Sequence, residues 1–318
     1  MQIVKERYKS DLHNILEIHT KRMTLEDEYR KILINFEKGY EGELHFDNLL
    51  KRFYSGEGIV LNDLKISYRG SSAQIDSLLI TQHSIELFEI KNYSGSYTFS
   101  KNKMISLKGI EIANPLTQLN RTLSLIRQLM NEWGIDLDVN GHIVFVNSHF
   151  TLYVGEPSYP FILPTQIELF LSQLSSQSRH IKQSHQFLAD KLLNYSLREL
   201  PHQKEHPNYN WDHLKKGLSC KGCGSLNPPR TQRRITCIKC QKQESVSAAL
   251  IRTIDELTLL FPNEKLTTPF VYEWVNASIS KDRIGSFLKA NFVMKGVSRA
   301  IYYEKLSSTE NKPARVTT

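Results

Sequence analysis

In the stretch QIDSLLITQHSIELFEIK, two apolar segments, residues 73–81 and 84–90, flank the polar pair Gln82 and His83. Their content of Ile, Leu and Phe predicts a tight, mostly buried β-hairpin. Against that apolar background the charged residues Asp76, Glu89 and Lys91 stand out. Side chains alternate along a strand, so Glu89 and Lys91 point to one side and Ile90 to the other. A buried charge is costly unless a partner or an ion compensates it. The three charges are therefore a candidate metal site. The simpler account is a Glu89–Lys91 ion pair, with Asp76 capping a turn.

Around this hairpin the periodicity predicts further elements. Ile3, Tyr8, Leu12, Ile15, Leu16 and Ile18 recur at helical spacing. Together with a second amphipathic piece, residues 25–36, they predict a helical extension over residues 1–38 that ends before Gly39 and Tyr40. It reads as either a lid or arm, or a segment packed on the core. From Tyr40 a new helix follows, with Leu44, Leu49, Leu50 and Phe53 on its apolar face and Glu43 in its first turns. The helix dipole alone would suit an acid there. Residues 58–69 alternate as a strand, and residues 97–107 read as peripheral strands. Asn114 and Pro115 start a helix that runs to Trp133, because proline is favourable in a first turn. Gln118 and Arg121 share one face of it. Residues 142–147, HIVFVN, form a short buried strand, and helices at 166–174 and 181–197 make a helical extension over residues 151–200. Residues 201–218 read as a linker, and its histidines His202, His206 and His213 have no regular metal spacing.

The αβββαβ order, carrying Glu43, Asp76, Glu89-x-Lys91 and Gln118, resembles the PD-(D/E)xK nuclease superfamily. More closely, GYEGELHFDNLL, QIDSLLIT, FEIKNYSG and NPLTQ are similar to the nuclease-related domain (NERD) family over residues 39–150. The resemblance implies an α/β, restriction-endonuclease-like core and a metal-dependent phosphodiesterase. It implies that Asp76, Glu89, the Ile90 carbonyl and Glu43 hold Mg²⁺ or Mn²⁺, since hard oxygen donors suit these ions. Lys91 would orient or help deprotonate the attacking water and stabilise negative charge, and Gln118 would position water or phosphate. The hairpin turn here, Thr-Gln-His-Ser, departs from the usual glycine-containing turn, and His83 reads as an exposed bystander.

Composition adds a second module. The chain is 40% hydrophobic and 23% charged, ordinary for a soluble protein. It has no apolar run near the roughly 18 residues of a membrane span. Its N-terminus lacks a signal-peptide core, so a cytoplasmic location is expected. The net charge of +8 is uneven: residues 202–318 hold 19 Lys+Arg against 10 Asp+Glu, whereas residues 1–201 hold 22 against 23. That excess suits a polyanion, most simply DNA, or else a solubilising surface. All four cysteines lie in two C-x-x-C pairs, Cys220/Cys223 and Cys237/Cys240, thirteen residues apart. The spacing predicts a zinc ribbon over residues 219–244, with a closed structural Zn²⁺ site; a redox pair is the alternative.

Arg230, Arg233 and Arg234 between the pairs read as phosphate contacts or as solvated loop residues. Helices at 245–261, 268–275 and 280–289 and a strand pair at 292–294 and 300–303 resemble a winged helix over residues 245–306, or a generic helical cap. In the first case Lys281, Arg283 and Lys289 lie on the recognition helix, and Lys295 and Arg299 on the wing. Residues 307–318 read as a disordered tail. The leading expectation is a metal-dependent DNA nuclease. A non-catalytic DNA-binding protein on the same fold and a nuclease acting on RNA are the alternatives.

Overall fold

A computed structural model describes residues 1–154, 159–177, 180–197 and 207–305, apart from the Arg299 side chain. His202, His206, the first part of the expected linker and the tail at 307–318 lie outside the described residues. The chain opens with β1 (Gln2–Lys5), α1 (Asp11–Arg22) and α2 (Asp27–Phe53). Strands β2 (Ile59–Tyr68), β3 (Ser71–Ile80), β4 (Ser84–Lys91), β5 (Gly95–Ser100), β6 (Lys103–Ser106) and β7 (Glu111–Ile112) follow. Next come α3 (Pro115–Trp133), β8 (Asp138–Phe145), β9 (Phe150–Val154), β10 (Phe161–Ile162), α4 (Ile167–Ser176) and α5 (Gln183–Tyr195). The last elements are β11 (Arg234–Thr236), β12 (Gln243–Ser245), α6 (Val246–Leu260), α7 (Thr268–Trp274), α8 (Lys281–Asn291), β13 (Val293–Lys295) and β14 (Tyr302–Glu304). They form two compact units, residues 1–9 with 34–205 and residues 10–33 with 206–318.

In the first unit six strands make one mixed sheet in the order β1-β2-β3-β4-β8-β10. The β2–β3 and β3–β4 pairs are antiparallel, while β4–β8 and β1–β2 are parallel. Strand β4 is buried on both faces, although Glu86 and Glu89 stand among its apolar residues Ile85, Leu87, Phe88 and Ile90. Helices α3 and α5 cover one face, with Leu119, Ile126, Leu188 and Leu192 in the cluster that holds Leu61, Leu78 and Leu87. On the other face Phe46 and Leu50 of α2 and Leu171 of α4 join Leu79, Phe88 and Val144. A smaller sheet, β7-β6-β5-β9, adds Phe99, Met104 and Phe150 to the first core. This mixed topology is compatible with the restriction-endonuclease-like fold that the resemblance implied.

The N-terminal region differs from expectation. Residues 1–38 are not one helical extension: Gln2–Lys5 is a strand paired with Ile59–Leu61. Gly39 and Tyr40 do not break the helix either, because α2 runs through them. Two glycines in α2 have opposite surroundings. A Cβ on Gly39 would meet nothing within 4 Å, whereas one on Gly42 would lie 2.5 Å from Asn92 Cβ. Asn92 is itself fixed, donating to the Lys38 carbonyl (2.8 Å) and accepting from Asn147 (3.0 Å). Gly39→Ala should therefore stabilise by about 0.5–1 kcal/mol. Gly42→Ala should destabilise by about 1–3 kcal/mol. Urea denaturation of the two variants checks this; a shift in the same direction would contradict it. Residues 151–200 also hold more than helices, since β9 and β10 extend both sheets.

The second unit has its own core. Ile15 and Ile18 of α1 pack with Leu250, Ile254 and Leu257 of α6, Trp274 of α7 and Ile284 and Leu288 of α8. Residues 207–218 contribute Leu214 and Leu218 to that core, and Trp211 stacks on Phe270 at 4.9 Å, so this part of the expected linker is structural. Arg22 is fully buried here. It donates to Glu256 Oε2 (2.6 and 3.2 Å) and to the Lys215 and Gly217 carbonyls, and its guanidinium lies 4.2 Å from the Trp274 ring. After α6, α7 and α8 comes the antiparallel β13–β14 pair, and an isolated bridge joins Leu266 to Tyr303. Among the described residues no helix is long and apolar enough to cross a membrane.

Candidate functional site

The site begins at an interruption in the sheet. The β2–β3 register runs from Ile59↔Ile80 to Tyr68↔Ser71 but skips Asp63 and Asp76, and Asp63 takes a left-handed φ of 52°. The β3–β4 pairing ends at Ser77↔Phe88, which leaves the Ile90 amide without a strand partner on that side. Asp76 supplies one: its Oδ2 accepts from Ile90 N at 2.8 Å. The N–H and C=O of one strand residue point the same way, so the Ile90 carbonyl is directed toward the same edge. Glu89 and Lys91 share a face as expected, with Lys91 Nζ donating to Glu89 Oε1 at 2.5 Å and to Gln118 Oε1 at 3.3 Å. Gln118 is held in the first turns of α3, where Asn114 caps the Leu116 amide and Pro115 starts the helix.

Glu43 is in the interior of α2, not in its first turns, so a helix-end dipole does not account for it. Its partner is Arg7, just beyond β1, whose Nη1 donates to Glu43 Oε2 at 2.7 Å. The same guanidinium grips both oxygens of Asp47, at 3.1 and 3.2 Å. Arg7 and Asp47 were not expected from the sequence. Asp47 had a signal, lying one helical turn after Glu43. Arg7 had none.

These carboxylates strain one another electrostatically. Burial, reinforced by the charge of Asp76, pushes Glu43 up to about 8 against the opposing pull of Arg7. Burial and Asp76 likewise push Glu89 up to about 8, against Lys91. Burial raises Asp76 too, although Lys91, the Ile90 amide and Arg7 oppose it. Burial works to neutralise Lys91, but Glu89 and Asp76 outweigh it and hold the ammonium protonated. Glu43 and Glu89 have an ordinary value of 4.5, so between about 4.5 and 8 the fold retains protons that the unfolded chain has lost. Stability of the protein freed of Mg²⁺ and Mn²⁺ should thus fall as pH rises through that window. Adding either ion should restore more at pH 8 than at pH 5 in thermal denaturation. A flat profile with equal metal effects would mean these acids are not crowded.

Of the simpler account of the hairpin charges, the Glu89–Lys91 ion pair is present, whereas Asp76 caps a strand amide, that of Ile90, and not a turn. Fully ionised, Glu43, Asp47, Asp76 and Glu89 would outnumber Arg7 and Lys91 by two charges, and Glu43 and Glu89 relieve that crowding by holding protons up to about 8. Carboxylate and carbonyl oxygens crowded in this way fit a hard divalent ion. Arg7 draws Glu43 away and Lys91 holds Glu89, so the three acids are not gathered as closely as metal ligands. Among the described residues, the four cysteines are the one group of at least three His, Cys, Asp or Glu side chains gathered closely enough to hold an ion.

The cysteine sulfurs all lie within 4.8 Å of one another, with Cys220–Cys240 and Cys223–Cys237 each at 3.5 Å. Each pair sits in a tight turn, closed by Gly224 N to the Cys220 carbonyl (3.0 Å) and Gln241 N to the Cys237 carbonyl (2.9 Å). Four thiolates leave no open position, which suits a structural zinc. Of the expected nucleic-acid contacts, Arg230, Arg233 and Arg234 are exposed around the turn leading into β11. Lys281 and Lys289 are exposed near opposite ends of α8, Lys281 lies over the Tyr272 ring, and Arg283 is half-buried. Lys295 is 3.9 Å from Glu304. The Arg299 side chain lies outside the described residues.

Residues 38–146 match the family model of the nuclease-related domain, NERD, and so a domain of that kind is present over less than half of the chain. No curated protein and no solved structure matches.

Proposed function

We propose that the first unit hydrolyses DNA phosphodiester bonds with Mg²⁺ or Mn²⁺, and that the basic second unit brings it to DNA through a zinc ribbon and a winged helix. The observation that carries this reading is the crowding of the buried carboxyls Glu43, Asp76 and Glu89, each raised above its ordinary value, beside a protonated lysine inside a nuclease-related domain. Asp76, Glu89, the Ile90 carbonyl and Glu43 would hold the ion. When bound, the ion supplies Lewis-acid polarisation and a water of lowered pKa.

The remaining work falls to this chain's side chains. The raised pKa of Lys91 suits a cation that orients the attacking water and stabilises charge on the phosphoryl oxygens, more than a base. Gln118, hydrogen-bonded to Lys91, positions that ammonium and the phosphate. Arg7 and Asp47 fix Glu43. For the second unit, the winged-helix reading is supported by the order α6, Leu266 bridge, α7, α8 and β-hairpin. It gives Lys281, Arg283 and Lys289 to the recognition helix and Lys295 and Arg299 to the wing. A reducing cytoplasm is the setting in which its thiols stay available to a metal.

Purified protein should cut linear, nicked or single-stranded DNA with Mg²⁺ or Mn²⁺ and not with EDTA, with RNA as a parallel substrate. The second reading, a non-catalytic DNA-binding protein, is favoured by the cations that already hold Glu43 and Glu89. Absence of cleavage under every condition would select it. For the cysteines, about one zinc per chain is expected by atomic emission, and its removal should unfold the second unit. Protein that is folded there and holds no zinc would refute the structural role.

A further inference from the structure

We propose that the second unit grips the phosphate backbone of duplex DNA in a lysine-lined groove beside the first cysteine turn, a surface separate from the arginine turn and α8. This rests on the reading that DNA is the partner. The groove has a volume of about 650 Å³, and its lining includes Lys21, Lys215, Lys221 and Lys239 together with Gly222 and Gly224. No Asp or Glu lines it. Lys215, Lys221 and Lys239 are exposed, and among the described residues none of the four ammonium groups is in an ion pair.

Lys21 comes from α1 and is placed with some care. A Cβ on Gly224 would lie 2.8 Å from Lys21 Cγ, so the bare glycine, at φ +71°, lets the lysine stem lie against the cysteine turn. A tetrathiolate around a divalent ion carries two negative charges, which matches only part of the positive charge of four lysines. The surplus suits a polyanion. By contrast, Lys281 is engaged with Tyr272 and Lys295 with Glu304.

The lining also holds no aromatic ring. Single-strand binders rely on aromatic platforms for base stacking, so this groove fits a phosphate backbone that keeps its bases paired.

The test uses the full chain carrying Asp76→Ala to prevent cleavage, and a fluorescent duplex of about 20 bp followed by anisotropy across roughly 50–300 mM salt. In that background, Lys21→Gln, Lys215→Gln, Lys221→Gln and Lys239→Gln together should flatten the salt slope by about 0.9 for each lysine that meets a phosphate. Zinc content, measured in parallel, should be unchanged. If the fourfold variant loses zinc, Lys221→Gln with Lys239→Gln should flatten the slope by about half as much. An unchanged slope in a zinc-loaded lysine variant, while the parent binds, overturns the groove alone. The same holds if Arg230→Gln, Arg233→Gln and Arg234→Gln together remove the whole salt dependence. A parent that does not bind duplex at about 50 mM salt overturns the DNA reading and the groove with it.

Discussion

Asp76→Ala is expected to reduce phosphodiester cleavage to background, about 10³-fold or more below the parent, and Lys91→Ala to reduce it by about 10²–10³-fold. The two should fail differently. Asp76 is the carboxylate whose charge raises both Glu43 and Glu89, and it caps the Ile90 amide. Its loss removes a donor, and both Mn²⁺ binding and turnover should fall. Loss of Lys91 removes a cation that competes for Glu89, so Mn²⁺ affinity should be kept or rise while turnover drops. Calorimetric Mn²⁺ titration beside a gel-based cleavage assay separates the two patterns. Equal cleavage by the parent and both variants would place the activity elsewhere.

Arg22→Met should destabilise the second unit by about 3–5 kcal/mol. Arg22 has no exposed surface, and its removal leaves Glu256 Oε2 without its donor, while Oε1 keeps Ser219 at 2.9 Å and Arg252 at 3.5 Å. Two carbonyls, of Lys215 and Gly217, lose a donor as well. Pairing the change with Glu256→Leu should recover most of the loss, because a buried ion pair replaced by apolar groups costs little. Urea unfolding followed by the fluorescence of Trp211 and Trp274 reports on this core, in a Trp133→Phe background that silences the first unit. A single variant as stable as the parent, or a double variant as unstable as the single, would contradict the account.

Much of the candidate site was legible because its signals are local. Asp76, Glu89 and Lys91 break an apolar pattern within one hairpin, and Asn114 with Pro115 marks the helix start that positions Gln118. The cysteine turns were legible for the same reason, as a spacing. What could not be read depends on partners distant in the chain. Strand β1 is four residues whose identity comes from pairing with β2, more than fifty residues later, and short polar strands leave no periodic trace. Arg7 follows directly from that strand and inherits its invisibility. Gly39 looked like a helix break because glycine weakens a helix, yet packing by Phe46 and Leu50 keeps α2 continuous. The Glu89–Lys91 pair marks a different limit, since the bland and functional readings predicted the same contact, and only the crowding by Asp76, which keeps Glu89 raised in spite of Lys91, distinguishes them.

The skipped pairing at Asp63 and Asp76 sets a trade-off for this protein. Regular pairing there would complete the ladder between two otherwise well-matched strands. It would also take from Asp76 the freedom to turn toward Ile90. Selection for thermal robustness and selection for the acidic site therefore pull this position in opposite directions. Stabilised descendants that regularise the hairpin would be expected to keep the fold and lose the Asp76–Ile90 contact.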